Sequence, residues 1–292
     1  MLNLYTPFPR YENAIIVGDT AAEALAQLRI YARGLIGGDI PAMETLHPTE
    51  KFLECTHCAL KHRPQILDAA AKRIQADYIL LEDNGHPGLN PVTMANALIA
   101  EGFNVRILDV RGTPAEILRR AGAMFGEEKQ AERIIRDMET RMARRLAQPP
   151  LPPRRVLPIL GIRHPIENVV YAFAATDASS LAKAVLKPLG LACALASKGD
   201  ETLPGVMDPT LETNWPTLLT KTSPDLIVLC GDAAAAQTVL FEAHEGRMPN
   251  IPCIALPWYC ESMGCRLART LEIWDGTLRA MSLFYTSEVS NA

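Results

Sequence analysis

Cys55-Thr56-His57-Cys58 places two thiols three residues apart. A Cys-x-x-Cys turn brings two sulfurs within reach of one ion, and thiolate suits zinc, softer metals and iron–sulfur clusters. The second half of a structural zinc site, another such pair about 12–20 residues on, does not follow. His62 is close but lies on the same segment. Cys260 and Cys265 form a second pair far along the chain. The expectation is that Cys55 and Cys58 meet Cys260, and with it Cys265, at one metal ion or cluster. A redox disulfide is the competing use of Cys55 and Cys58. The pair reads as lacking the usual setting for one, directly after a strand and opening a helix. Cys193 and Cys253 sit in apolar runs and Cys230 ends one, so these three read as buried small hydrophobes.

Other chemistry-bearing residues follow apolar runs. His86 and His164 each precede a proline, and imidazole there suits metal or haem ligation, or donation to an anionic chelate. Glu82 and Asp83 are candidate ligands for a hard cation, with capping of the next turn as the plainer role. Arg163 suits a chelate carboxylate or a tetrapyrrole propionate. Trp258 and Tyr259 suit stacking on a planar ligand.

These residues need elements to position them. Short apolar runs at 14–17, 35–38, 78–81, 105–108, 155–160, 226–230 and 252–256 read as buried strands. Residues 169–174 read as the second strand of a hairpin. Helices are expected from Thr20, where Thr20-Ala21-Ala22-Glu23 matches a capping box, at 64–75, after Asn90-Pro91, and at 113–124, 179–189, 211–220 and 266–284. The stretch from Asp39 to His62 reads as irregular. Between the halves, Ala131, Ile134, Ile135, Met138, Met142 and Leu146 form one stripe, which predicts a long helix over 126–148. Four prolines among residues 149–153 stop it. Strands alternating with helices mean parallel sheets. The division expected is an α/β lobe at 1–125, a joining helix and Pro-rich hinge at 126–153, and a second α/β lobe at 154–292.

At 292 residues the chain suits two domains. A net charge of −4 gives no basic footprint for nucleic acid. No stretch approaches the roughly 20 apolar residues of a membrane span. The N-terminus lacks the basic and apolar regions of a signal peptide, and seven cysteines suit a reducing compartment. The expected location is the cytoplasm, with the periplasm as the alternative if a leader has been removed. There is no Gly-x-Gly-x-x-Gly after the first strand, no Walker A lysine loop and no Gly-x-Ser-x-Gly elbow, so an ordinary dehydrogenase, NTPase or esterase is not expected.

Several stretches resemble a family. Ala76-Asp77-Tyr78-Ile79-Leu80-Leu81 and Ser223-Pro224-Asp225-Leu226-Ile227-Val228 are similar to a strand signature of ABC-importer substrate-binding proteins. The subgroup is the helical-backbone class, which serves ferric siderophores, haem, vitamin B12 and some bare metals. Ala100 to Val105, Gly122 to Ala131 and Cys265 to Ala268 resemble its turn, joining-helix entry and closing helix. The resemblance implies two Rossmann-like parallel-sheet lobes joined by one long helix, with a ligand cleft between them. It also implies a binder of a metal-containing small molecule without chemistry of its own, and an ABC permease as partner if the chain is exported. The ligand would be a ferric chelate, haem or another tetrapyrrole, or a metal ion or cluster. Nitrogenase-like reductases and cofactor-assembly scaffolds also stack α/β domains, and they imply instead a cytoplasmic iron–sulfur protein with the cluster on Cys55, Cys58, Cys260 and Cys265.

Overall fold

A computed structural model describes residues 8–37, 51–163, 169–199, 205–257 and 267–289. The chain divides into two compact units, and the division falls after Asp137.

The first unit is built on strands that bury both faces. β1 (Arg10–Val17) pairs in parallel with β2 (Ile30–Ile36) and β4 (Tyr78–Asp83). β3 (Lys51–Glu54) and β5 (Val105–Asp109) extend the sheet to the order β3-β2-β1-β4-β5. Ile15, Val17, Ile79 and Leu81 point to one face and pack on Leu67, Ala71, Ala95 and Leu98. Ile16 and Leu80 alternate to the other face and are equally buried. A continuous apolar run is what a strand covered on both sides requires. The helices are α1 (Asp19–Gln27), α2 (Thr56–Lys61), α3 (Gln65–Ile74), α4 (Ala95–Ala100) and α5 (Pro114–Phe125). Strand order reverses between β1 and β4, the switch point where open α/β sheets present their binding crevice.

Two expectations need correction here. Thr20 to Glu23 forms no capping box, because α1 begins at Asp19 behind Gly18 and has no side-chain cap of its own. A capping box does form at Thr113 and Glu116, opening α5. Within the stretch read as irregular, residues 51–61 form β3 and α2.

The long helix, α6 (Glu128–Leu146), starts later than expected. Gly126 takes a left-handed conformation (φ 72°) and closes α5, the glycine stop that helices favour. The α6 stripe includes Ala131, Ile135 and Met138, all buried.

The second unit holds a mixed sheet of order β11-β10-β6-β7-β9. β6 (Arg155–Arg163) runs parallel to β10 (Leu226–Gly231), which pairs with β11 (Cys253–Ala255). β7 (Val170–Ala175) returns antiparallel to β6 as the expected hairpin, and β9 (Val206–Met207) follows it. This sheet is therefore not wholly parallel. β8 (Ala192–Cys193) pairs with the start of β6. The helix expected at 179–189 is a π turn followed by a 3₁₀ turn. That at 211–220 is split into α7 (Pro209–Glu212) and α8 (Trp215–Thr222), where Asn214 caps α8 and Pro216 occupies its first turn. α9 (Ala233–Ala243) and α10 (Leu267–Val289) complete the unit. Its core joins Leu157, Ile159, Ile227 and Leu229 to Trp215, Ala236 and Leu240.

Candidate functional site

At the switch point of the first sheet, β1 ends on Gly18 and β4 carries Glu82. Gly18 sits at φ 123°, and a Cβ there would lie 2.4 Å from the Glu82 Cβ. Glu82 is 5% exposed. Its Oε2 accepts from the Ala21 N–H at 3.0 Å, and Oε1 accepts from the Asn84 amide at 3.3 Å. Burial pushes its carboxyl above the ordinary range, against those hydrogen bonds and one from Thr20, which favour the charged form. Glu82 thus supplies the N-terminal acceptor that α1 lacks. In dinucleotide-binding sheets a phosphate takes this place. Here the Glu82 carboxylate takes that place and holds the Ala21 N–H. Of the two acids considered for a cation, Glu82 is therefore committed to helix capping.

Asp83 leads the loop after β4. Its Oδ1 accepts from the Asn90 amide at 2.8 Å and from the Gly85 N–H at 3.2 Å. Its Oδ2 lies 3.3 Å from Arg111, which also grips Asp109 at 2.8 Å. That contact holds the half-buried Asp109 carboxyl down at about 2. His86 follows in the same loop, half-buried. Its Nδ1 accepts from the Gly88 N–H at 3.1 Å and the Leu89 N–H at 3.0 Å. Two donors aimed at Nδ1 place the proton of the neutral ring on Nε2. His86 therefore offers a donor rather than a lone pair, which fits an anionic group better than a metal.

Cys55 lies at the carboxyl end of β3. Between it and the β4 loop lie β2 and β1, three strand spacings or about 14 Å at about 4.8 Å each. Cys55 caps α2, and its Sγ accepts from the Cys58 N–H at 3.0 Å. The pair thus does follow a strand and open a helix, contrary to the sequence reading. Glu54, 5% exposed, accepts from the Cys55 N–H at 3.0 Å, and its other oxygen lies 3.5 Å from Arg63. The ligand atoms of Glu54, Cys55 and Cys58 all lie within 4.8 Å of one another. Glu54 was missed because nothing in its immediate sequence marks it as buried. Burial pushes the Cys193 and Cys253 thiols up to about 11, and Cys230 well above its usual range. Cys230 is buried, as read, whereas Cys193 and Cys253 are only half-buried.

In the second unit Arg163 ends β6. Its Nε donates to Asp232 Oδ2 at 3.0 Å. The other Asp232 oxygen accepts from the Ala235 N–H at 2.9 Å and caps α9. Gly161 makes room for this corner, since a Cβ there would lie 2.0 Å from the Asp232 carbonyl oxygen. Asp232 went unassigned in the sequence, although Gly-Asp between a strand and an Ala-rich helix is a capping signal. His164, Trp258, Tyr259, Cys260 and Cys265 lie outside the described residues.

No family model and no curated protein sequence matches the chain. Solved structures do. A periplasmic haem-binding protein from Pseudomonas aeruginosa is 15% identical, with 90% of each chain covered and a TM-score of 0.61. The chain shares the fold of this periplasmic haem-binding protein. The periplasmic haem-binding protein RhuT from Roseiflexus sp. RS-1 is similar at 14% identity, covering 92% of this chain and 97% of its own, with a TM-score of 0.61. The periplasmic vitamin B12-binding protein BtuF of Vibrio cholerae is similar at 13% identity, covering 94% and 98%, with a TM-score of 0.56. Among the described residues, no helix is long and apolar enough to cross a membrane.

Proposed function

We propose that the protein binds a metal-containing small molecule, a ferric chelate, haem or another tetrapyrrole, and does no chemistry of its own. The observation that carries this reading is near-complete coverage, 90–94% of this chain, in the structures of two haem binders and a vitamin B12 binder. The strand-end loops supply groups that suit such a ligand. His86 presents an Nε2–H donor, and Arg163 is a guanidinium steadied by Asp232, both matched to propionate or chelate carboxylates. The two haem binders and the B12 binder are periplasmic proteins, which favours export and an ABC permease partner over the cytoplasmic expectation. Cell fractionation of the native host decides the location. The iron–sulfur enzyme reading gains no support from these neighbours. Spectrophotometric titration with hemin tests the binding claim. A saturable Soret shift that weakens in His86→Ala or Arg163→Ala supports it. Hemin binding unaffected by a change removes that residue from the reading.

A further inference from the structure

We propose that Glu54, Cys55 and Cys58 form a binding site for a zinc-class divalent metal ion, complete within the first unit and separate from the chelate site proposed above. The sequence reading sought partners for the two thiols in the distant pair Cys260 and Cys265. The fold supplies a nearer third ligand. Two sulfurs and a carboxylate oxygen lie within 4.8 Å of one another, a separation three ligands of one ion can adopt with small side-chain adjustments. Two thiolates and a carboxylate are a zinc donor set, and three protein ligands leave the fourth position open to water or another donor.

The surroundings fit an ion. Glu54 is buried and acidic, and among the described residues Arg63 lies beside it at 3.5 Å. With both thiols ionised the set carries three negative charges. A divalent ion and Arg63 together balance them. Backbone N–H groups already orient the ligands: that of Cys55 holds Glu54 at 3.0 Å, and that of Cys58 holds the Cys55 sulfur at 3.0 Å. Such outer contacts fix ligand geometry in metal sites. The exposed rings of His57 and His62 meet edge to face 5.1 Å apart beside the set.

The test is titration of the reduced full-length chain with cobalt(II), a coloured stand-in for zinc. The proposal predicts one cobalt per chain, thiolate-to-cobalt charge-transfer absorption, the intense visible bands of tetrahedral cobalt, and bleaching by zinc. Cys58→Ser should weaken binding by more than the roughly 10–100-fold typical of losing an outer-sphere partner. Glu54→Gln should weaken binding while leaving the charge-transfer band. A second readout needs no variant: in wild-type protein, zinc should shield Cys55 and Cys58 from iodoacetamide without changing Cys193. Cobalt spectra without charge transfer, or no shielding of Cys55 and Cys58, would overturn the site. So would a reduced chain that takes no metal while Cys55 and Cys58 equilibrate as a disulfide with glutathione. Because hemin is absent throughout, failure here leaves the chelate reading untouched.

Discussion

Glu82 caps α1 from 61 residues away, its Oε2 accepting the Ala21 N–H at 3.0 Å. One buried carboxylate thus fixes the switch point of the first sheet. The contact is energetically mixed. The N–H groups favour the charged form, and burial, the larger effect, opposes it.

This gives a pH prediction with a definite sign. The folded carboxyl titrates above its ordinary value of 4.5, so the folded state holds the proton more tightly than the unfolded chain. The contribution to stability is fully present below 4.5 and is lost as pH rises through the folded value. Glu82→Gln keeps a neutral acceptor and removes the titration. Wild-type stability should therefore fall relative to Glu82→Gln as pH climbs from 4.5 to neutrality, read from melting temperatures. A constant difference would show that the hydrogen bonds fully compensate burial.

Gly18 and Gly102 separate backbone strain from crowding. Both have positive φ, 123° and 88°, but a Cβ at Gly18 collides with Glu82 while one at Gly102 meets nothing within 4 Å. Gly102→Ala should lose about 1 kcal/mol, the low end of strain for such a conformation. Gly18→Ala should lose at least about 2–3 kcal/mol, since overpacking adds roughly 1–3 kcal/mol. Urea unfolding checks both, and equal losses would rule out the collision.

How far the sequence carried the reading depends on range. The runs Ala14–Val17, Tyr78–Leu81 and Leu226–Cys230 announced their strands because strands buried on both faces must be apolar throughout. Lys51-Phe52-Leu53-Glu54 sits at the sheet edge, beyond β2, and has no such run, so β3 and the strand–helix setting of Cys55 stayed hidden. Thr20 mimicked a cap locally, while the true acceptor, Glu82, lies on another strand. Local patterns reveal elements. Contacts across 61 residues do not show in them.

In the second unit, Arg145 of α6 pairs with Asp275 of α10 at 2.5 Å, with side chains 4% and 7% exposed. Arg141 pairs with Glu272 on the same two helices, but half in water. Arg145→Ala should cost about 3 kcal/mol or somewhat less, since Arg279 also holds Asp275 at 2.8 Å. Arg141→Ala should cost at most about 1 kcal/mol. Chemical denaturation ranks them, and the reverse order would mean that burial does not set their strength.

The thiols give a prediction that needs no mutation. Burial holds Cys193 and Cys253 near 11, so few are thiolate at neutral pH and alkylation of the folded protein should be slow. Peptide mapping after iodoacetamide treatment should show both labelled far faster once the chain is unfolded. Equal labelling before and after unfolding would contradict the raised thiol values.

Equilibrium dialysis against hemin, cyanocobalamin and a ferric hydroxamate, with iron or cobalt counted per chain by elemental analysis, tests the central claim most directly. The account predicts saturation near one metal atom per chain for at least one of the three, with no change in the ligand itself. A protein that retains none of them would contradict it.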